Sequence, residues 1–383
     1  MGLKSTSAER PVPTEAPVSA RVVEAAFHQR FPNSVLTIDS HVGGEPARLV
    51  VGGVPPIPGQ TVNDKRLYLS RVLDEVRLRL TREPRGHRDM FASILTRPES
   101  SEAAFGLVYL DARRYPYLCG HATMAAVSAL LELGIIEAQL PETQVVVDTP
   151  SGPWRTTAHV RERGTSSEDK TTSDSRPQPG VAGVAVDSVT IRPEVAFAYL
   201  LDQPLDVPEL GRIQVDVSFT GGFFVMVSVD QISLDLAPAN AFRLARLGMS
   251  IMEAANTQLS VQHPQRPYIN TIDVVEFFDP RGHTHGRGKN FVVFGEGHID
   301  RSPCGTGTCA KMALLHRRGD LAVGRPFVNE GLMGTTFDAR IVREISVADL
   351  PAVVPEVRGT AYFTGLHHFV VAPGDPFSEG FLL

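Results

Sequence analysis

The sequence predicts an α+β protein of two similar halves, each wrapping strands about one buried helix. Three observations carry this. Cys119-Gly120-His121-Ala122-Thr123 and Cys304-Gly305-Thr306-Gly307-Thr308 each open a run of good helix formers. The run after Cys119 is apolar nearly all round, interrupted only by Thr123, Ser128 and Glu132, which suits an interior helix. With the two cysteines aligned, Gly follows each, Thr comes four residues later, Ala six later, and a helix-ending Gly (Gly134, Gly319) fifteen later. The offset from position 119 to position 304 is about half of the 383-residue chain, far too long for a solenoid repeat.

In chain order, residues 1–20 are rich in Ser, Pro, Ala and Glu, which predicts a disordered tail. Val22, Val23, Ala26 and Phe27 predict a short helix over 21–31. Residues 34–38 read as a strand, Gly43-Gly44 as a turn, and Leu49-Val50-Val51 as the returning strand. Leu67, Leu69, Val72, Val76 and Leu78 predict one amphipathic helix over 64–80. Short strands at 91–95 and 105–109 lead to Cys119. Strands are expected at 144–149, 152–160 and 184–192, and the polar stretch 161–179 reads as a disordered surface insertion. Residues 193–210 read as the crossing into the second half. A strand broken by Gly221-Gly222, a helix over 234–256, and strands at 269–278 and 290–294 follow. His283 to Gly288 reads as an exposed polar loop, and the end of the chain alternates like closing strands.

Composition excludes several classes. A 42% hydrophobic content is ample for two or three domains. The net charge of −6, with both signs interspersed, offers no basic surface for nucleic acid. Three cysteines make no disulfide framework, and no run has the length of a membrane span or a signal-peptide core. A cytoplasmic protein is expected. Met1-Gly2-Leu3-Lys4-Ser5-Thr6 fits the loose myristoylation pattern and is read as a chance match.

A thiol at a helix N-terminus meets free N–H groups and the positive end of the dipole. That placement predicts a lowered pKa and a reactive thiolate at Cys119 and Cys304. Two such thiols fit one reaction: one thiolate removes a proton from a Cα, and the other thiol delivers a proton to the opposite face. The same N–H groups could hold the substrate carboxylate and stabilise the developing enolate. Cys309, inside the second helix, reads as core. His41 and Glu45, beside the Gly-Gly turn, read as scaffold or substrate contact ahead of proton transfer. Cys119-x-His121 and His283-x-His285 lack further ligands at zinc-like spacing, so no metal is assigned. No phosphate-cradling Gly-rich motif and no candidate Schiff-base lysine stand out, so no cofactor is assigned.

Four segments carry a family resemblance: Asp39-Ser40-His41-Val42-Gly43-Gly44-Glu45-Pro46-Ala47-Arg48, Pro84-Arg85-Gly86-His87-Arg88-Asp89-Met90, the Cys119 motif, and Asp300-Arg301-Ser302-Pro303-Cys304-Gly305-Thr306-Gly307-Thr308. In this order they resemble the proline racemase family, which includes proline racemases, 4-hydroxyproline 2-epimerases and trans-3-hydroxyproline dehydratases. The resemblance implies two domains like those of diaminopimelate epimerase, each a curved sheet or barrel around a central buried helix. It places an N-terminal extension at 1–33, a first domain at 34–192 (with the insertion), a second at 193–350, and a segment at 351–383 returning to the first. It implies Cys119 and Cys304 as the catalytic pair, the backbone N–H groups of Gly120, His121, Gly305 and Thr306 on the carboxylate, and Asp300 at the ring nitrogen. Phe91, Tyr109 and Phe294 fall where proline racemases place aromatic residues around the ring, and His298 or Ser93 could partner a ring hydroxyl. Phe223 stands where many relatives carry Asn or Ala.

The expected activity is cofactor-independent inversion at Cα. 4-Hydroxyproline is preferred (trans-4-hydroxy-L-proline to cis-4-hydroxy-D-proline), because bacterial-looking members of the family are mostly its epimerases. Proline is the alternative. The dehydratases resemble threonine at the second cysteine position, so Cys304 disfavours dehydration. A paralogue that binds an imino acid without turnover is the non-enzymatic alternative. The expected partner is a small-molecule substrate, with no nucleic acid and no membrane; a homodimer is compatible.

Overall fold

The computed structural model describes residues 19–117, 119–163 and 183–383. The disorder expected over 1–18 and 164–179 lies outside the described residues. At the margins, Ala20 already begins a helix, and Arg161 and Glu162 extend a strand.

The first half opens with α1 (Ala20–Arg30), which buries none of its residues. Gly43 (φ +61°) and Gly44 (φ +93°) take left-handed angles and reverse β1 (Val35–Val42) into β2 (Glu45–Gly52). The stretch expected as one helix is two, α2 (Val62–Val72) and α3 (Asp74–Thr81), broken at Leu73. Thr61 and Asp64 close a capping box on α2, and Asp74 and Glu75 give α3 its own acidic first turn. Then come β3 (Ala92–Thr96), β4 (Phe105–Leu110), α4 (Gly120–Glu132), β5 (Glu142–Thr149), β6 (Gly152–Glu162) and β7 (Val184–Arg192).

The crossing region is not a connector. It holds an antiparallel pair, β8 (Phe197–Val207) and β9 (Gly211–Phe219). Register shifts between Ala198 and Gln203, with Asp202 at φ +52°, break the alternation that would have marked β8. Next are β10 (Phe223–Ser228) and α5 (Ala241–Gln258), whose start is delayed by a 3₁₀ turn at Pro238–Asn240. The chain ends with β11 (Ile272–Asp279), β12 (Arg287–Phe294), β13 (His298–Asp300), α6 (Gly305–Arg318), β14 (Phe327–Glu330), β15 (Thr336–Val347), β16 (Leu350–Gly359) and β17 (Ala361–Phe369). The expected exposed loop at His283 is instead the end of a 3₁₀ helix, with His283 buried and stacked on Phe278.

The halves repeat one pairing pattern. From β1 to β7 successive pairs run antiparallel, parallel, antiparallel, parallel, antiparallel, antiparallel. From β9 through β10, β11, β12, β14 and β15 to β16 the same six steps recur. Each parallel step needs a crossover, and helices fill them. α2 and α3 lie between β2 and β3, α4 between β4 and β5, α5 between β10 and β11, and α6 between β12 and β14. The fold is thus α+β and pseudo-symmetric, with a curved sheet around α4 and another around α6. β16 pairs with β7 and β17 with β1, so one seventeen-stranded sheet runs through both halves.

Every residue of α4 from Gly120 to Leu131 is buried. Its apolar side chains share one core with Cys309, Met312, Ala313 and Leu315 of α6. Truncating a residue such as Leu130 to Ala would cost about 2–5 kcal/mol. Gly134 (φ +68°) follows α4 and Gly319 (φ +83°) caps α6, both left-handed as the aligned motifs suggest.

Candidate active site

The two buried helices start at the same place. Cys119 is the N-cap of α4, and its Sγ accepts from the Ala122 N–H at 3.4 Å. Cys304 is the N-cap of α6, and its Sγ accepts from the Gly307 N–H at 3.3 Å. Both helix starts line a single cavity of about 70 Å³, together with Asp300, His121 and Thr306. Gly120, His121, Gly305 and Thr306 occupy the first turns, where N–H groups lack a helical carbonyl partner. The cavity can therefore receive an anion between two dipole ends.

The two thiols are not equivalent. Cys119 is extended (φ −157°), whereas Cys304 is held at φ +57°, an uncommon angle for a side chain with a Cβ. A dense set of bonds imposes that angle. The Pro303 carbonyl accepts from Asn290 Nδ2 (2.9 Å), Asn329 Nδ2 (3.0 Å) and Thr308 Oγ1 (3.1 Å), and Ser302 Oγ accepts from the Cys304 N–H (3.0 Å). Cys119 Sγ has His121 Nδ1 at 3.2 Å, and Cys304 Sγ has Thr306 Oγ1 at 3.5 Å.

The charge states differ from the sequence expectation. Burial pushes both thiols well above the ordinary thiol range, and the nearby carboxylate of Asp300 adds to this. The N–H bonds at the helix starts act the other way but do not prevail. Burial also lowers the pKa of His121 to about 4, so its imidazole is neutral. Burial raises the pKa of Asp300 to about 7, with Glu45 adding to the rise and Ser302, which donates twice, opposing it.

Phe91 and Phe294 form one wall of the cavity, with ring centroids 6.3 Å apart. Phe224, Val274, Val292, Pro116 and Arg114 complete the lining and were not singled out from the sequence. Phe224 was legible in part: strand alternation sends its neighbour Phe223 into the α5 core, so Phe224 faces the other way. Arg114 is held by Asp273 at 2.9 Å and Asp111 at 3.5 Å.

Several expected residues stand elsewhere. His298 does not line the cavity. Its Nε2 lies 2.6 Å from Glu45 Oε1, and its ring stacks on Phe294 at 4.0 Å. Burial works against a charged imidazole there, and the Glu45 carboxylate outweighs it, so the pKa of His298 is raised. Glu45 is buried, and its Oε2 accepts from the Arg301 N–H. Tyr109 lies behind Phe91 and bonds Thr123, and Ser93 is buried on β3 outside the lining. His41 stacks on Tyr362. Among the described residues no group of three or more His, Cys, Asp or Glu could hold a metal ion.

The profile of the proline racemase family matches residues 37–174 and 178–382. The chain belongs to the proline racemase family. It is 40% identical to a proline racemase of Clostridioides difficile over 92% of this chain and 99% of the relative. It is 36% identical to a 4-hydroxyproline 2-epimerase of Streptosporangium roseum, covering 90% of this chain and 97% of the relative. A crystal structure of a hydroxyproline epimerase from Agrobacterium vitis, with bound trans-4-hydroxy-L-proline, superposes with a TM-score of 0.80. That protein is 31% identical, over 92% of this chain and 96% of its own. Named relatives are thus racemases and epimerases of proline and hydroxyproline, and a trans-3-hydroxy-L-proline dehydratase of Burkholderia ambifaria is also 35% identical over 92% of this chain.

Proposed function

We propose that the protein is a cofactor-independent racemase that inverts Cα of proline, with Cys119 and Cys304 as the two proton-transfer groups. One observation carries the reading: two helix N-termini, each capped by a cysteine, close on one cavity that also holds a carboxylate and an aromatic wall.

The substrate carboxylate would sit between the helix starts, on the N–H groups of Gly120, His121, Gly305 and Thr306. Its ring nitrogen, a secondary ammonium, would face Asp300. That cation would favour ionised Asp300 and offset the burial that holds the sulfurs neutral. A thiolate on one side then takes the Cα proton as the thiol on the other side supplies one. The negative charge that develops on the carboxylate lies on two dipole ends. In the reverse direction the sulfurs exchange roles.

Proline is preferred over 4-hydroxyproline. A ring hydroxyl needs a partner, and neither His298 nor Ser93 lines the cavity. Arg114 is committed to two carboxylates. Burying an unpaired hydroxyl costs about 1–3 kcal/mol. We also read residues 34–192 and 193–350 as the two domains; within 351–383, β16 closes the second half and β17 returns to the first, on β1.

The test is alkylation of the reduced protein with iodoacetamide, located by mass spectrometry. Planar pyrrole-2-carboxylate is expected to protect Cys119 and Cys304 together. Labelling of both thiols unchanged by saturating ligand would overturn the reading.

A further inference from the structure

Behind Cys304, outside the cavity, lies a buried ion pair. Lys311 of α6 is fully buried, with Nζ 3.2 Å from Glu276 Oε1 on β11 and 2.8 Å from Asn329 Oδ1 on β14. Glu276 is equally buried, and its Oε1 also accepts from Asn290 Nδ2 at 3.1 Å. Its other oxygen, Oε2, has no hydrogen-bond partner among the described residues. A buried carboxylate oxygen without a donor is costly, so its position matters.

That oxygen and the thiol flank one glycine. A Cβ placed on Gly307 would collide with Glu276 Oε2 and would stand 3.2 Å from Cys304 Sγ. The Gly307 N–H is itself the donor to that sulfur. Gly307 therefore puts no side chain between the carboxylate and the thiol.

The two charges of the pair act on the sulfur in opposite senses. The carboxylate favours the thiol, and the ammonium favours the thiolate. Burial draws Glu276 up and Lys311 down. Lys311 also faces His283 and Asp279, and Glu276 also faces Cys309. Cys119 has a different neighbour, the neutral imidazole of His121.

We propose that the Glu276–Lys311 pair is a tuning element for Cys304, which sets through its charge balance how readily this one of the two thiols gives up its proton. The inference rests on the two-thiol reading and gives one sulfur a control that the other lacks. An inverting site starts each turnover with one sulfur charged and one protonated, so unequal surroundings decide which state is the commoner. Glu276 and Lys311 are positioning residues; neither lines the cavity.

The test reads Cys304 ionisation from the pH dependence of its alkylation by iodoacetamide, in the full chain carrying Cys119→Ser and Cys309→Ser. Glu276→Gln leaves the ammonium alone and is expected to speed alkylation at neutral pH roughly tenfold. Lys311→Met leaves the carboxylate alone and is expected to slow it by a similar factor, while Glu276→Gln with Lys311→Met returns it towards the parent. A merely structural pair would not give shifts of opposite sign. Profiles unmoved by both single variants, or moved the same way by both, overturn the proposal. Should those variants not fold, Glu276→Asp keeps the charge but withdraws it towards β11. It is expected to give a smaller acceleration, and none would equally overturn the idea. Alkylation needs no turnover, so failure of the two-thiol reading is a separate result: inversion at Cα that persists in Cys304→Ala.

Discussion

Gly120 and Gly305 meet at the start of the two buried helices. A Cβ on Gly120 would stand 3.4 Å from Gly305 Cα, and one on Gly305 would stand 3.6 Å from Gly120 Cα. The two N-caps thus sit on backbones that approach to within contact distance of one added methyl group.

Gly120→Ala is expected to turn Ile191 Cδ1 aside, since its Cβ would stand 2.8 Å from that atom, the free end of a side chain. Overpacking costs about 1–3 kcal/mol in stability, and the low end is expected where a side-chain end can move away. Racemisation should fall by less than the roughly hundredfold loss that misplacing reacting groups by about 1 Å carries, because the contact with Gly305 is an ordinary one. Parallel urea unfolding and racemisation assays check the two effects. A loss of about a hundredfold or more would show that the helix starts do not tolerate even a methyl group.

The pair Glu45–His298 joins the first half to the second and is wholly buried. His298→Leu would leave Glu45 charged and short of a partner, at about 3–5 kcal/mol. His298→Gln can keep the hydrogen bond and should lose less. The raised pKa of His298 also has a sign. Its contribution is fully present below the unfolded imidazole pKa and is lost as pH rises through the folded value. Wild type should therefore show a decline on the alkaline side that His298→Gln lacks, as read by urea midpoints across pH.

Asp300 works in the opposite sense to a usual carboxylate. Its folded pKa, about 7, lies above the ordinary carboxyl value. The folded state holds an extra proton between the two values, so this group makes stability fall as pH rises through that window. Substrate binding should run the other way. Below pH 7 a neutral Asp300 loses its attraction for the ring ammonium, and KM for L-proline should rise. Asp300→Asn should have a high KM at every pH. A KM for wild type that stays flat down to pH 5 would contradict this role.

The apolar wall predicts specificity. L-Proline should exceed trans-4-hydroxy-L-proline in kcat/KM by about tenfold or more, from the unpaired hydroxyl. A reversed ratio would restore 4-hydroxyproline as the substrate.

Much of the site was legible because its chemistry is local in sequence. A cysteine, a glycine and a run of helix formers define an N-cap without long-range information, and the chain contains the pattern twice. Asp300, Phe91 and Phe294 followed from the family resemblance, and all three line the cavity. What escaped depends on tertiary placement. His298 has the right chemistry for a substrate contact, yet Glu45, distant in sequence, claims it. Glu276 and Lys311 look like ordinary charged residues until β11 and α6 bury them together. In the fold, β7 was read to the residue, whereas β8 was missed because bulges at Ala198 and Leu200 scramble its period of two. The lowered thiol pKa failed for a related reason. Helix N-termini are visible in sequence, but the burial that outweighs them is not.

The most direct measurement is proton NMR in D2O of L-proline with purified protein, alongside Cys119→Ala and Cys304→Ala. Wild type should replace the Cα–H by deuterium while D-proline accumulates, and either alanine variant should abolish inversion. Full racemisation by either variant, or no exchange by folded, reduced wild type, would contradict a two-thiol proline racemase.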